Sequence, residues 1–182
     1  MEEGIKVTTN RRTALRTGAA VALGATALGA VISGAAPAQA RSSQPPQRDR
    51  FDTQQCAEIK EVLKSYERSL NASDVAGVAQ LYTDDAVVLA PGASSAVGID
   101  AVRATYTGIF QALDIDITFD IAEVTVVSPE WAFLRSTSHG VATILASGVQ
   151  VPSSNQELFI LQKSQGRWKL ARYSFSSVLP SA

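Results

Sequence analysis

The chain has 182 residues, a formal net charge of −1, one cysteine and one histidine. Without a basic patch, nucleic acid is not an expected partner. The lone Cys56 excludes an internal disulfide. No cysteine pair with metal-ligand spacing and no glycine-rich phosphate loop occurs, so neither a metal nor a cofactor is expected.

The first element in chain order is an address. Arg11-Arg12 precedes the uncharged run "TGAAVALGATALGAVISGAAPAQA", which closes on Ala38-Gln39-Ala40. A charged start, an apolar middle and a small-x-small end form an export signal. Arg11-Arg12-Thr13-Ala14-Leu15 resembles the twin-arginine variant, although Ala14 stands where an aromatic is common. A membrane span would want about 20 strongly apolar residues, and this run is diluted by glycine. Residues 1–40 are therefore read as a signal peptide. The product is expected to be secreted or periplasmic, with no membrane contact after signal removal.

The remaining residues, 41–182, carry twelve Lys and Arg against fifteen Asp and Glu, and suit one domain with its own core. Residues 41–53, with Pro45-Pro46, read as a flexible leader, and 54–179 as the domain. Cys56, Ile59, Leu63, Tyr66 and Leu70 recur at helical spacing. Asp74 is expected to cap a short second helix whose apolar side is Val75, Val78, Leu81 and Tyr82. Residues 86–90 read as a short strand turned by Pro91-Gly92. Asp100 is expected to cap a third helix over 101–112, marked by Val102, Tyr106, Ile109 and Phe110.

The second half reads as antiparallel sheet. "DITFDIAEVTVVS" and "EWAFLRSTSHGVATI" are strand candidates, and "NQELFILQKSQGRWKLARYSFSSVL" reads as two strands joined at Ser164-Gln165-Gly166. In the second of these, Trp131, Phe133, Arg135, Thr137 and His139 share one face, and Ala132, Leu134, Ser136 and Ser138 the other. Gly140 to Ser154, with Gly148 and Pro152, reads as a hairpin connection. Phe159, Trp168 and Leu170 are expected in the core. The order is α+β, three helices against a mostly antiparallel sheet.

"YERSLNASDVAGVAQLYTDDAVVLAPGASSAVGIDAVRATYTGIF" and "ELFILQKSQGRWKLARYSFS" resemble the opening and the closing hairpin of the nuclear transport factor 2-like superfamily. More narrowly the chain resembles SnoaL-like and SgcJ/EcaC-type proteins. The resemblance implies a cone-shaped (cystatin-like) fold, a curved sheet around helices with one end open as a pocket. It also implies a small apolar organic partner bearing a polar or carbonyl group, and a sheet-face homodimer. Val124, Val126, Leu158 and Ile160 are candidates for that face, or for ordinary core.

Compared with ketosteroid isomerases, Tyr66 falls where their motif places the oxyanion-hole tyrosine. Their catalytic aspartate would fall just before Pro91, where this chain has Ala90. His139, the chain's one imidazole, is then an alternative proton-transfer residue, or a structural or incidental one. Tyr66 and His139 are the catalytic candidates. Arg135, Thr137, Asn155, Glu157, Arg172 and Tyr106 are the ligand-binding candidates. A buried Arg172 would need a carboxylate, from Glu157 or Asp85. Two functions stay open: proton transfer, hydration or cyclisation on a carbonyl or polyketide-like compound, and a noncatalytic binding or assembly module of the cell envelope.

Overall fold

The computed structural model describes residues 47–178, with side chains from Asp52 onward. The export segment lies outside the described residues. Helix α1 spans Gln47–Asn71, so it begins inside the stretch read as a leader. After Pro46 no breaker interrupts helix formation until Asn71. α1 buries Ile59, Leu63, Tyr66 and Leu70, one stripe at helical spacing.

Helix α2 spans Val75–Gln80, and the carboxylate of Asp74 caps it by accepting from the N–H of Gly77 at 2.9 Å. It is shorter than its apolar pattern suggests. Strand β1 takes over at Tyr82 and runs to Leu89. The N–H of Leu170 donates to the carbonyl of Leu81 at 2.8 Å, so tertiary pairing ends the helix. A two-residue strand β2, Ala96–Val97, precedes helix α3, Ile99–Ala112. The cap of α3 is Gly98 at φ 84°, a conformation that favours glycine, and not Asp100. Asp100 lies in the first turn, where a carboxylate suits the helix dipole.

Strands β3 (Leu113–Val126), β4 (Trp131–Ile144), β5 (Val149–Ser164) and β6 (Arg167–Ser177) complete a six-stranded sheet in the order β2-β1-β6-β5-β4-β3. Every neighbouring pair is antiparallel except β1 with β6, which is parallel, so the sheet is mixed. Register shifts at Ile121/Glu123 and Ile160/Leu161 bend the long strands around the helices. Gly140 sets a close approach: a Cβ there would lie 2.1 Å from the carbonyl oxygen of Asp116.

The stretch from Gly140 to Ser154 is therefore not a long connection. β4 and β5 run through most of it and turn over residues 145–148. Pro152 is tolerated because β6 pairs with β5 only as far as Asn155, leaving β5 a neighbour on one side at the proline. The free edge of β3 is covered by α1. The Asn71 amide bonds both main-chain groups of Ile117, and Glu67 Oε2 accepts from the N–H of Phe119 at 2.8 Å. The result is a curved mixed sheet flanked by helices, the cone expected from the sequence. Phe159, Trp168 and Leu170 are in its core. Val124 and Val126 are half-buried against that core, whereas Leu158 is exposed.

Candidate active site

The four tyrosines of the chain lie far apart in sequence, on α1, β1, α3 and β6, yet all four are buried in one cluster. Each sits on an inward position of its element. The hydroxyls of Tyr66 and Tyr106 are hydrogen-bonded at 2.5 Å, and those of Tyr82 and Tyr106 at 2.9 Å. The Tyr173 ring stacks on Phe159 at 4.4 Å between centroids and on Phe175 at 5.3 Å. Tyr66 meets the faces and edges of Tyr82, Tyr106, Phe159 and Tyr173. Such packing holds each ring rigidly and leaves the hydroxyl protons as the adjustable part.

Three of these tyrosines, Tyr66, Tyr106 and Tyr173, form one wall of a cavity of about 420 Å³. The cavity opens between the end of α1, α3, the end of β1 and strands β3 to β6. Its walls are mostly apolar, with Leu70, Val88, Ile109, Ile115 and Phe175 among them. Tyr66, Tyr106, Tyr173, Asn155 and Glu157 supply much of the polar lining. That is the make-up of a small-molecule site: an apolar enclosure with a few convergent polar groups. A larger groove of about 850 Å³ lies at the β5–β6 turn. Two of its acids are already engaged, Glu58 with Lys163 and Glu61 with Lys64. It holds no comparable cluster of buried titratable groups.

Among the described residues, Glu157 is the only carboxyl lining the 420 Å³ cavity, and it is 5% exposed. The hydroxyl of Ser136, directly opposite on β4, donates to its Oε2 at 2.6 Å. Ser138, buried on the same inward face of β4, also favours the ionised carboxyl. Burial pushes the Glu157 carboxyl above the ordinary carboxylate value, and the two serines pull it partly back. Burial likewise raises all four phenols, Tyr106 to about 12. They are neutral hydroxyl donors throughout the working pH range. The polar atoms can therefore donate to a ligand oxygen and move a proton through one carboxyl.

The residues singled out in the sequence divide between two sides of the sheet. Tyr66, Tyr106, Asn155 and Glu157 come together at the cavity. His139, Arg135 and Thr137 do not, because the β4 face turned inward is the one carrying Ala132, Leu134, Ser136 and Ser138. His139 Nδ1 lies 3.2 Å from Asp120 Oδ2, with both side chains largely exposed, so a catalytic His139 is not compatible with this cavity. Arg135 pairs with Glu123 at 2.8 Å on the same outer side. Arg172 pairs with Asp85 at 3.4 Å, not with Glu157, and does not reach the cavity lining. Tyr82, Tyr173 and the two buried serines were not singled out as site residues. The signal available for the serines was two polar residues on the inward parity of a strand. Ala90 and Pro91 line the cavity mouth without supplying any acid or base.

The fold and cavity define a small-molecule-binding or catalytic protein of the nuclear transport factor 2-like superfamily. The model of the SnoaL-like domain matches residues 62–170, and the chain belongs to that family. A ketosteroid isomerase-like protein from Erwinia carotovora atroseptica is 38% identical, with a TM-score of 0.67, 69% of this chain covered and 98% of that one. A conserved protein from Planctomyces limnophilus is 23% identical, TM-score 0.62, covering 69% and 99%. A nuclear transport factor 2-like protein from Shewanella oneidensis is 17% identical, TM-score 0.55, covering 66% and 98%. These last two share the fold. Comparison with curated proteins gives no match.

Proposed function

We propose that this chain is a cofactor-independent enzyme that moves a proton on a small apolar carbonyl compound held in the 420 Å³ cavity. The observation that carries the reading is the placement of Glu157, one buried carboxyl in an apolar enclosure beside a set of hydrogen-bonded phenols. Ionised Glu157 removes a proton from the carbon next to the carbonyl. The electron pair moves onto the carbonyl oxygen, and Tyr66 donates a hydrogen bond to that oxygen. Returning the proton to another carbon, or expelling a leaving group, completes isomerisation or dehydration.

Tyr82 and Tyr106 support this role for Tyr66. If Tyr82 donates to Tyr106 and Tyr106 to Tyr66, the proton of Tyr66 is left for the ligand, and each bond polarises the next. The similarity to a ketosteroid isomerase-like protein supports the reaction class. Ala90, at the position where that class would carry its aspartate, transfers the proton-moving role to Glu157. No redox step is involved, so no redox cofactor is called for.

The working protein in this reading is the exported form, cleaved after Ala40. Amino-terminal sequencing of the protein recovered from outside the cytoplasm tests this, and recovery of uncleaved chain only would refute it. The outer sheet face favours a homodimer, because Trp131 and Leu158 are 37% and 42% exposed there. Sedimentation equilibrium reads that directly.

The test of function starts with native mass spectrometry to identify a co-purifying ligand, followed by turnover with that compound and with simple cyclic enones. Glu157→Gln should abolish proton exchange, followed as deuterium incorporation, while retaining ligand binding. Undiminished exchange in that variant would leave only a binding role.

A further inference from the structure

We propose that Ser136, Ser138 and Asn155 are positioning residues that hold the Glu157 carboxyl through both of its protonation states, Ser138 as an oriented donor and Ser136 as a hydroxyl free to turn. This deepens the reading of Glu157 as the proton-moving group and rests on it.

The geometry is a short polar chain laid across two neighbouring strands inside the cone. Ser136 and Glu157 face each other in register on β4 and β5, and so do Ser138 and Asn155. Ser136 and Ser138 are 3% and 1% exposed, so water does not solvate either hydroxyl. Asn155 Nδ2 donates to Ser138 Oγ at 3.3 Å and to Ser153 Oγ at 3.4 Å. Both amide protons are thereby used, and Oδ1 is the Asn155 atom left for a ligand. Because Ser138 Oγ already accepts from Asn155, its own proton is left available to the nearby Glu157 carboxyl. Ser136 has only Glu157 as a side-chain partner, at 2.6 Å, and its hydroxyl can rotate.

Those two kinds of hydroxyl answer a difficulty peculiar to a buried acid that must gain and lose a proton. As a carboxylate it needs donors, and as a carboxylic acid it needs an acceptor. When Glu157 takes a proton from a ligand carbon, its new O–H can donate to Ser136 once that hydroxyl turns. Ser138, held by Asn155, keeps its proton available to the carboxyl. When the proton is returned, Ser136 turns back. The proton count balances within Glu157 and the ligand, and neither serine is ionised.

The other titratable groups facing Glu157 are Tyr66 from α1, Tyr106 from α3 and Tyr173 from β6. Their hydroxyls stay protonated while Glu157 titrates, so a change in its midpoint reads the serines.

The test follows the Glu157 carboxyl without any ligand. The mature protein, labelled with ¹³C at glutamate side chains, is titrated by carboxyl NMR or infrared spectroscopy, with Glu157→Gln assigning the resonance. Ser138→Ala and Ser136→Ala should each raise the midpoint by about half to one pH unit, since each removes a donor that favours the ionised form. Asn155→Leu should raise it less, by releasing the Ser138 proton to turn away. Ser138→Thr, which keeps the hydroxyl, should restore the wild-type value. If both alanine variants fold, by circular dichroism, and the midpoint stays where it was, the proposal is overturned. Two variants on separate positions guard against one failing to fold. A shifted midpoint alongside unaltered proton exchange in Glu157→Gln would instead overturn the proposed reaction and leave the serine assignment standing.

Discussion

The side-chain amide of Asn71 makes both main-chain hydrogen bonds of Ile117: Nδ2 donates to the carbonyl at 2.8 Å, and Oδ1 accepts from the N–H at 3.0 Å. The last residue of α1 thus takes the place of a neighbouring strand on the free edge of β3. An uncovered edge strand invites pairing with other chains. Asn71→Ala should cost about 1–3 kcal/mol, two ordinary hydrogen bonds, and promote aggregation. Urea unfolding and light scattering check both. Asn71→Asp keeps the acceptor but sets a carboxylate against the Ile117 carbonyl, so it should rescue only in part.

Tyr66→Phe removes the hydroxyl proposed to hold the ligand oxygen while leaving the ring contacts in place. Loss of a transition-state donor of this kind lowers kcat about 10²–10³-fold. Tyr82→Phe acts two hydroxyls away and should give a much smaller loss. Steady-state kinetics on the ligand identified from the purified protein separates the two. Equal losses would argue against a directional chain of phenols.

Glu157 also leaves a mark on stability. Its folded-state pKa is raised above the ordinary 4.5, first by burial. Below that value the carboxyl is protonated in both folded and unfolded states. As pH rises from there through the folded pKa, the unfolded chain releases its proton first. The unfolded state then binds fewer protons, and stability falls with pH across that window. Glu157→Gln should flatten this decline, giving a variant more stable than wild type above the window relative to below it. Thermal unfolding between pH 4 and 8 measures it. A steeper decline in the variant would contradict the assignment.

Gly140→Ala places a methyl carbon 2.1 Å from the Asp116 carbonyl oxygen. That contact can be relieved only by separating β3 from β4, because the clash is with main chain. Overpacking of this kind costs about 1–3 kcal/mol. Differential scanning calorimetry should show a lower Tm. Loss of ligand binding should accompany it, since Ile117 at the same register lines the cavity.

His139→Ala, Arg135→Ala and Arg172→Ala should leave ligand affinity and turnover unchanged. Their partners, Asp120, Glu123 and Asp85, lie outside the cavity lining. The pairs are exposed, so each contributes little to stability and weakens with salt. A large kinetic effect of His139→Ala at unchanged stability would require a second site on the outer face.

Local pattern in the sequence was enough for α1, because Ile59, Leu63, Tyr66 and Leu70 form an uninterrupted stripe, and for the Asp74 cap. It was misleading at Tyr82, whose helical spacing was overridden by pairing of β1 with β6. On β4 the bulky Trp131 and Phe133 invite the inward reading. The inner face carries serine and alanine instead, leaving volume for four tyrosine rings and the Glu157 carboxyl. Tyr66, Tyr106, Asn155 and Glu157 are far apart in the chain or on separate elements, and nothing local announces that they meet. Convergence of residues on three elements is a property of topology, invisible to spacing along the chain.

Among the described strands, β1 lies beside β2 and β6, and β6 is the latest of them in chain order. During synthesis, everything up to the end of β5 can emerge before β1 has its parallel neighbour. The phenol cluster is then missing Tyr173. Closing contacts between residues around 85 and around 173 spans most of the domain, a separation that slows folding. The cavity is complete only with β6 docked, so a chain shortened within β6 would lose the pocket and the anchorage of its own first strand together.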